Sequence, residues 1–399
     1  MVAFNWKPLL LACLIVSIGQ LSLGLIFPTL PWIAADLHLS SGQVQLLVSG
    51  YLLGFGPSQL VYGPLSDVYG RRPVLLGGLI VALSGLMLAV SHGDNFAMLL
   101  AGRVIQGLGA GSVAVLARAS IRDSYQNHDF VKAMTWLAIV AAFTPIVAPV
   151  VGAMVNHYSG WLAVFILLLG YIASVWLILL LLFKETLAVS TRRQTVRSLV
   201  GSYFSLLRER HFLSFAAIGW INFSLVVISI SLMPFIMQVQ IGLSSEQYAL
   251  WAMVPAFGLL SGGMVCQRLR PKLGTARILL LAPLLHFVAG SVLIAASLKP
   301  EWMSVGHFLL AMANGMAFPC AQSLLLIPYA DKAGTVAALS GACQMVFASL
   351  LSNSLLKLGI SQAWHLGGVI VVGAGVGLLL AVLGSQSESG RRAVASLSG

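Results

Sequence analysis

Hydrophobic and polar positions segregate along this chain instead of alternating. Twelve long apolar runs are separated by short polar breaks, at residues 7–27, 43–63, 73–91, 97–118, 132–154, 161–183, 212–237, 246–266, 277–297, 303–325, 335–356 and 364–384. Each is near the roughly 20 residues a helix needs to cross a bilayer. Strands of an outer-membrane barrel would alternate apolar and polar residues, so continuous runs predict helices. The first run could pass for a signal peptide with Lys7 at its basic end. It continues past Gln20 to Phe27 with no convincing small-residue cleavage site, which favours a retained first span.

Composition supports the same reading. Of 399 residues, 59% are hydrophobic and 8% charged, and the mean hydropathy is +0.95. Soluble domains are about a quarter charged, so most of this surface must face lipid. The expected fold class is therefore an all-α membrane protein of twelve transmembrane helices, with the lipid bilayer as its partner. The net charge of +11 does not point to nucleic acid, because the basic residues are spread over short loops. Cys13, Cys266, Cys320 and Cys343 fall in or beside apolar runs without metal-ligand spacing. They read as small buried residues, and no metal or cofactor is expected. No Ser-His-Asp, metal-ligand or nucleotide constellation supports an enzyme, and no added soluble domain supports a sensor.

Orientation follows from lysine and arginine placement. With the N-terminus in the cytoplasm, the inside segments hold 19 of the 22 basic residues. The outside holds Lys299 and Lys357, and Arg103 falls within a span. Both termini are then cytoplasmic. The longest gap, 184–211, carries six of the basic residues and divides the chain into six-helix bundles at 1–183 and 212–399. The loop "GPLSDVYGRRP" after span two is weakly echoed by "CQRLRPKLG" after span eight. Two parallel halves with a substrate site between them at mid-membrane is a transporter layout. The linker "KETLAVSTRRQTVRSLVGSYFSLLRER" reads either as an amphipathic helix on the cytoplasmic surface, suited to anionic lipid, or as a solvated connection.

Span four contains "GRVIQGLGAG", residues 102–111. Arg103 lies about 10 Å inside the outer edge at 1.5 Å per residue. A charge there is costly unless it faces a polar interior or finds a partner. Two readings stand: Arg103 faces a central cavity near Gln20 and Tyr51, which lie at similar depth, or it is held structurally by backbone carbonyls. Gly107 and Gly111 are four apart on one face and would let helices approach closely. A nucleotide loop would need a preceding strand.

Three stretches carry a family resemblance. "YGPLSDVYGRRP" (62–73), "GRVIQGLGAG" (102–111) and "PIVAPVVGAMV" (145–155) resemble signature motifs of the major facilitator superfamily, in order and in the right spans. The last resembles the motif of the drug:proton antiporter group. "SGYLLGFGPSQLVYGPLSDVYGRRPVLL" looks especially like Bcr/CflA and EmrD-type bacterial multidrug efflux proteins. The likeness is close in the N-terminal half and mainly one of layout in the C-terminal half. It implies two pseudo-symmetric bundles, a monomer, and location in the bacterial inner membrane. In the motif Gly63, Asp67, Gly70, Arg71 and Arg72, the Asp67 carboxylate can dock on the positive end of a helix or pair with an arginine. Arg118 and Arg122 end span four nearby. The resemblance implies that Asp67 helps lock a cytoplasmic gate; the plainer reading is charges that only set topology. Pro145, Pro149 and Gly152 should kink span five and allow tight packing between the halves.

One position departs from the pattern. Many Bcr/CflA-like relatives carry an aspartate in span one, where this chain has Gly24. None of the eleven acids lies deep in a predicted span. Candidate proton sites are therefore His286, near the middle of span nine, and Asp36 and Asp123 at membrane boundaries. The cavity is expected to be lined by Gln20, Gly24, Tyr51, Arg103, Asn222, Trp251, Asn314 and Gln344, with Trp220, Met233, Phe235, Met316 and Phe347 nearby. Such an apolar, aromatic pocket suits varied amphipathic compounds. The expectation is export of diverse toxic compounds driven by protons; a single metabolite such as a sugar or nucleoside is the alternative.

Overall fold

The computed structural model describes residues 4–187, 196–295 and 297–386. Arg192 and Arg193 of the linker and Arg391 and Arg392 of the tail lie outside them. Among the described residues there is no strand, and twelve helices are long and apolar enough to cross a membrane. They are α1 (Trp6–Gly24), α2 (Ser41–Tyr69), α3 (Arg71–Ser91), α4 (Phe96–Ser124), α5 (Asn127–Ser159), α6 (Trp161–Leu182), α7 (Arg210–Pro234), α8 (Ser245–Ala252 and Val254–Leu273), α9 (Thr275–Ala295), α10 (Pro300–Leu326), α11 (Ala333–Lys357) and α12 (Ala363–Gln386). A short helix, Val196–Leu206, precedes α7.

Several helices outrun the apolar runs that predict them. The second run ends at Gly63, but α2 passes through Pro57 and Pro64 to Tyr69. The ends are set by caps, not by hydropathy. Ser40 and Gln43 form a reciprocal capping box at the start of α2, and Asn95 accepts from Ala97 and Met98 at the start of α4. Gly70, at φ +99°, is the single residue between α2 and α3, a backbone conformation that side chains disfavour. After α1 the chain makes a 3-10 turn at Phe27–Thr29 and resumes helix at Leu30–Asp36, so the first span reaches Asp36 rather than Phe27.

The chain divides into two compact units, Met1–Val196 and Arg197–Gly399. Each repeats one packing plan. In the first, α4 packs against α2, α3 and α1, and α1 against α5; in the second, α10 packs against α8, α9 and α7, and α7 against α11. The repeat has a constant offset of 204 positions through the α2–α4 and α8–α10 regions. The capping box of Ser40 and Gln43 recurs at Ser244 and Gln247, and the Gly70 corner recurs at Gly274 with φ +79°. Gly54 seats against the Val104 carbonyl, and Gly258 against the Phe308 carbonyl. Gly102 faces Ala89, and Gly306 faces Leu293.

These contacts give the glycines of "GRVIQGLGAG" their meaning. A Cβ at Gly107 would collide with the Tyr51 carbonyl, and one at Gly111 with the Ser58 hydroxyl, both on α2. Gly102 and Gly109 press instead on Gly85 and Ala82 of α3. In lipid no hydrophobic force drives helices together, so close backbone approach supplies the packing energy. Large apolar side chains such as Met87, Leu181, Leu284 and Val372 remain exposed, as a lipid-facing surface requires.

Candidate functional site

Arg103 has no exposed surface. Its Nε donates to the Leu47 carbonyl at 3.2 Å, Nη1 to Gln106 Oε1 at 2.5 Å, and Nη2 to the Ser22 carbonyl at 3.0 Å. Gln106 Nε2 donates to Ser22 Oγ at 3.1 Å. The guanidinium also lies 4.5 Å from the centre of the Tyr51 ring. One cation thus ties α4 to α1 and α2 through carbonyl oxygens, an amide and a ring face, the kinds of partner that make a charge tolerable in hydrocarbon. Of the two readings, the structure places Arg103 in the carbonyl-bound one and not open to a cavity.

Two expectations are corrected, Gln20 as the neighbour of Arg103, which rests on depth alone, and Gly24 as a cavity residue, which rests on the family's span-one aspartate position. The α1 residue bonded to Arg103 is Ser22, not Gln20, which is only partly buried. Gln20 is two residues away, about 200° around the helix, so equal depth did not mean the same face. Gly24 is buried where a Cβ would press on Ala148 of α5, so it is a packing position and lines no cavity here. Gly152 meets the Leu25 carbonyl. The close approach it permits is therefore to the α1 end of its own half. Pro145 and Pro149 lie inside a continuous α5.

The α2–α3 corner forms a second cluster. Arg71 is 2% exposed; its Nη1 lies 2.6 Å from Asp67 Oδ1 and its Nε donates to Asp123 Oδ2 at 2.9 Å. Nη1 also donates to Ser66 Oγ at 2.6 Å. Asp67 thus pairs with an arginine one turn along, the second of its two expected modes. Asp123, expected as a possible proton site, is held by Arg71. The backbone N–H groups of Arg71 and Arg72 donate to Glu185 Oε1 and Oε2 at 2.8 and 3.1 Å. Glu185 thereby caps the start of α3, with Gly70 leaving the room it needs. Burial pushes the Glu185 carboxyl up, but N–H groups of Leu187, Arg71, Arg72 and Thr186 outweigh it and hold it below its ordinary value. Arg72 Nη2 donates to the Leu180 carbonyl at the end of α6. Arg122 is exposed 3.6 Å from Asp123, Arg118 bonds the Ala114 carbonyl of its own helix, and a Cβ at Gly63 would make only an ordinary contact with Val115.

In the second unit the polar residues gather on α7. Asn314 Nδ2 donates to the Asn222 carbonyl at 2.7 Å. Gln344 and Gln322 flank Gly219, one turn from Asn222. Trp220 Nε1 donates to the Ser340 carbonyl at 3.0 Å, and its ring lies 6.2 Å from Phe347. Trp251 packs, partly buried, against the apolar core of α7, α9 and α10. His286 is buried on α9, and its Nε2 has no partner among the described residues. Asp36 Oδ2 accepts from Trp161 Nε1 at 3.0 Å.

A family model described as "Major Facilitator Superfamily" matches residues 12–352. The chain belongs to this superfamily. This major facilitator protein is 27% identical over 375 residues to the uncharacterized MFS-type transporter YdgK of Bacillus subtilis, covering 92% of each chain. It is 27% identical to multidrug resistance protein MdtL of Klebsiella pneumoniae over 355 residues and to multidrug resistance protein D of Escherichia coli over 362, covering 88% of each chain in both cases. Its fold resembles solved structures of a D-xylose-proton symporter (TM-score 0.73, 16% identical, 97% of this chain and 99% of that one) and the human organic anion transporter MFSD10 (0.69, 18%, 95% and 99%). The family and these relatives are transporters, and the protein is a multi-pass membrane protein.

Ser22, Gln106 and Glu185 have structural roles in this transporter that hydropathy could not reveal. His307 was also missed. At the repeat offset it holds on α10 the place of Arg103 on α4, and it is 7% exposed. The signal was present: "LSSGQ" at 39–43 and "LSSEQ" at 243–247 share the capping-box pattern and fix the register of the halves.

Proposed function

We propose that the protein sits in the bacterial inner membrane with both termini in the cytoplasm and exports diverse amphipathic toxic compounds by proton antiport, as a monomer with alternating access. The observation that carries this is likeness along 88% of the chain to two proteins named for multidrug resistance. Lysine and arginine placement supports the orientation. The aromatic and amide residues around Asn222, Asn314, Gln344, Trp251 and Phe347 support a pocket for amphipathic ligands. Arg103 then organises the helices beside the path, and the Asp67–Arg71–Asp123 cluster serves the cytoplasmic gate. One pH unit supplies about 1.4 kcal/mol per proton, and each charge moved adds about 2.3 kcal/mol per 100 mV.

A second reading is export or facilitated passage of one metabolite, such as a sugar or nucleoside. It is favoured by the described carboxylates, which all lie at helix ends or outside the helices. The test is dye and drug accumulation in cells stripped of their own pumps, comparing wild type, Arg103→Ala and Asp67→Ala with and without a protonophore. Lowered accumulation of several unrelated compounds, abolished by the protonophore and by both substitutions, is the expected result. Unchanged accumulation across the panel despite good expression overturns polyspecific export and leaves the single-metabolite reading.

A further inference from the structure

The helix Val196–Leu206 has no part in the transport argument, yet its described side chains divide its surface into three strips. Leu206 is fully buried and Ser202 and Tyr203 are partly buried, so one strip packs on the protein. Val200, Phe204 and Leu207 follow at spacings of four and three, which places them on one face. They are 45%, 62% and 37% exposed. Gly201, Ser205 and Arg208 form the third strip, exposed and without apolar bulk. A helix bathed wholly in water has no reason to carry an apolar strip beside a polar one. A helix lying at a membrane interface does.

Its position fits that interface. Leu207, Arg208 and Glu209 alone separate it from α7, so it ends within about 14 Å of where α7 begins. The junction is anchored: Glu209 accepts from the Tyr329 hydroxyl, and the His211 ring bonds the Leu324 carbonyl at 3.0 Å. The same end of this unit carries exposed Arg208, Arg210, Arg268, Arg270, Lys272 and Arg277. Two acidic residues share this end, Asp331 and Glu209, and Glu209 is taken up by Tyr329, so cations remain in excess there.

The geometry points to a lipid-seated helix: Val200, Phe204 and Leu207 enter the acyl boundary, while Arg208 and Arg210 hold anionic phospholipid headgroups. Cations beside such a surface gain attraction that zwitterionic lipid does not supply. The assignment concerns the membrane, not the transported compound, and stands apart from the efflux reading.

The test uses the full chain in nanodiscs of phosphatidylcholine, with and without phosphatidylglycerol. Spin labels at Phe204→Cys and Ser205→Cys, in a background lacking the four native thiols, report collisions with oxygen and with a water-soluble nickel chelate. The expected result is a label at 204 shielded from nickel severalfold better than one at 205. Phosphatidylglycerol should deepen position 204, and a combined Arg208→Gln and Arg210→Gln change should cancel that deepening. Equal nickel access at 204 and 205 overturns the lipid seat, and so does a label at 204 shielded from nickel and oxygen alike, the result a covering protein partner would give. Depth that ignores both phosphatidylglycerol and the two arginines overturns the headgroup assignment. Hydrogen exchange of this helix in the unaltered protein, slower with phosphatidylglycerol if the assignment holds and unchanged if it does not, guards against damage from thiol removal.

Discussion

The guanidinium of Arg103 lies over the ring of Tyr51, 4.5 Å from its centre, and neither side chain has any exposed surface. The Tyr51 backbone carbonyl is also the seat of Gly107, one turn further along the same α4 helix. A single residue of α2 therefore receives both the cation and the closest backbone approach from α4. The arginine and the glycines of "GRVIQGLGAG" are parts of one contact.

Arg103→Lys should fail nearly as badly as Arg103→Ala. A lysine ammonium cannot reach Leu47, Gln106 and Ser22 together from one planar fork. Leaving those acceptors buried without donors costs about 1–3 kcal/mol each. The check is thermal stability of purified protein in detergent beside efflux in pump-deficient cells. A lysine variant with wild-type values in both would show that the charge matters and the fork does not.

Gly107→Ala and Gly262→Ala should both prevent normal assembly, because the added methyl meets the backbone carbonyls of Tyr51 and Met312. Gly77→Ala, where a Cβ meets nothing within 4 Å, should be silent. Size-exclusion profiles of fluorescent fusions after heating separate the outcomes. Equal profiles for all three would remove close approach as the reason for these glycines.

Glu185→Ala should loosen the α2–α3 corner at neutral pH by freeing the N–H groups of Arg71 and Arg72. The sign of the pH effect follows from the lowered carboxyl. Its contribution is fully present above the ordinary unfolded value and is lost as pH falls through the lower folded one. The melting difference between wild type and Glu185→Ala should thus hold constant from neutral pH into the ordinary carboxylate range and close only below it. A difference that closes near pH 7 would contradict the capping geometry.

Asp123→Asn should weaken this corner more than Arg122→Gln. Arg71 is buried and keeps only the half-exposed Asp67 as an ion-pair partner when Asp123 loses its charge, whereas Arg122 is exposed and 3.6 Å from its partner. Exposed pairs are worth about 0–1 kcal/mol. Melting temperatures of the two variants decide it, and equal losses would count against the pair.

His307→Gln should alter the pH dependence of efflux more than His286→Gln. His307 holds the repeat position of Arg103, while His286 lies on α9, which packs between α10 and α12. Efflux rates at several external pH values are the measurement. Identical profiles for the two variants would mean that the repeat carries packing alone.

Hydropathy alone was enough to determine twelve apolar helices, since span length follows from bilayer thickness and backbone satisfaction in lipid. Local motifs such as the Gly70 corner, Arg103 and the spaced glycines stood out because charge and small residues are rare in such runs. What only the tertiary structure decided was partnership. Depth counting put Gln20 beside Arg103, yet a two-residue difference turns a helix nearly half-way round, and Ser22 holds the contact. Glu185 read as a linker charge until folding brought it more than a hundred positions back to the start of α3. The same holds for Gly152, whose neighbour Leu25 is set by which helix packs against α5. Sequence spacing determines which face of a helix a residue occupies; packing decides what that face meets.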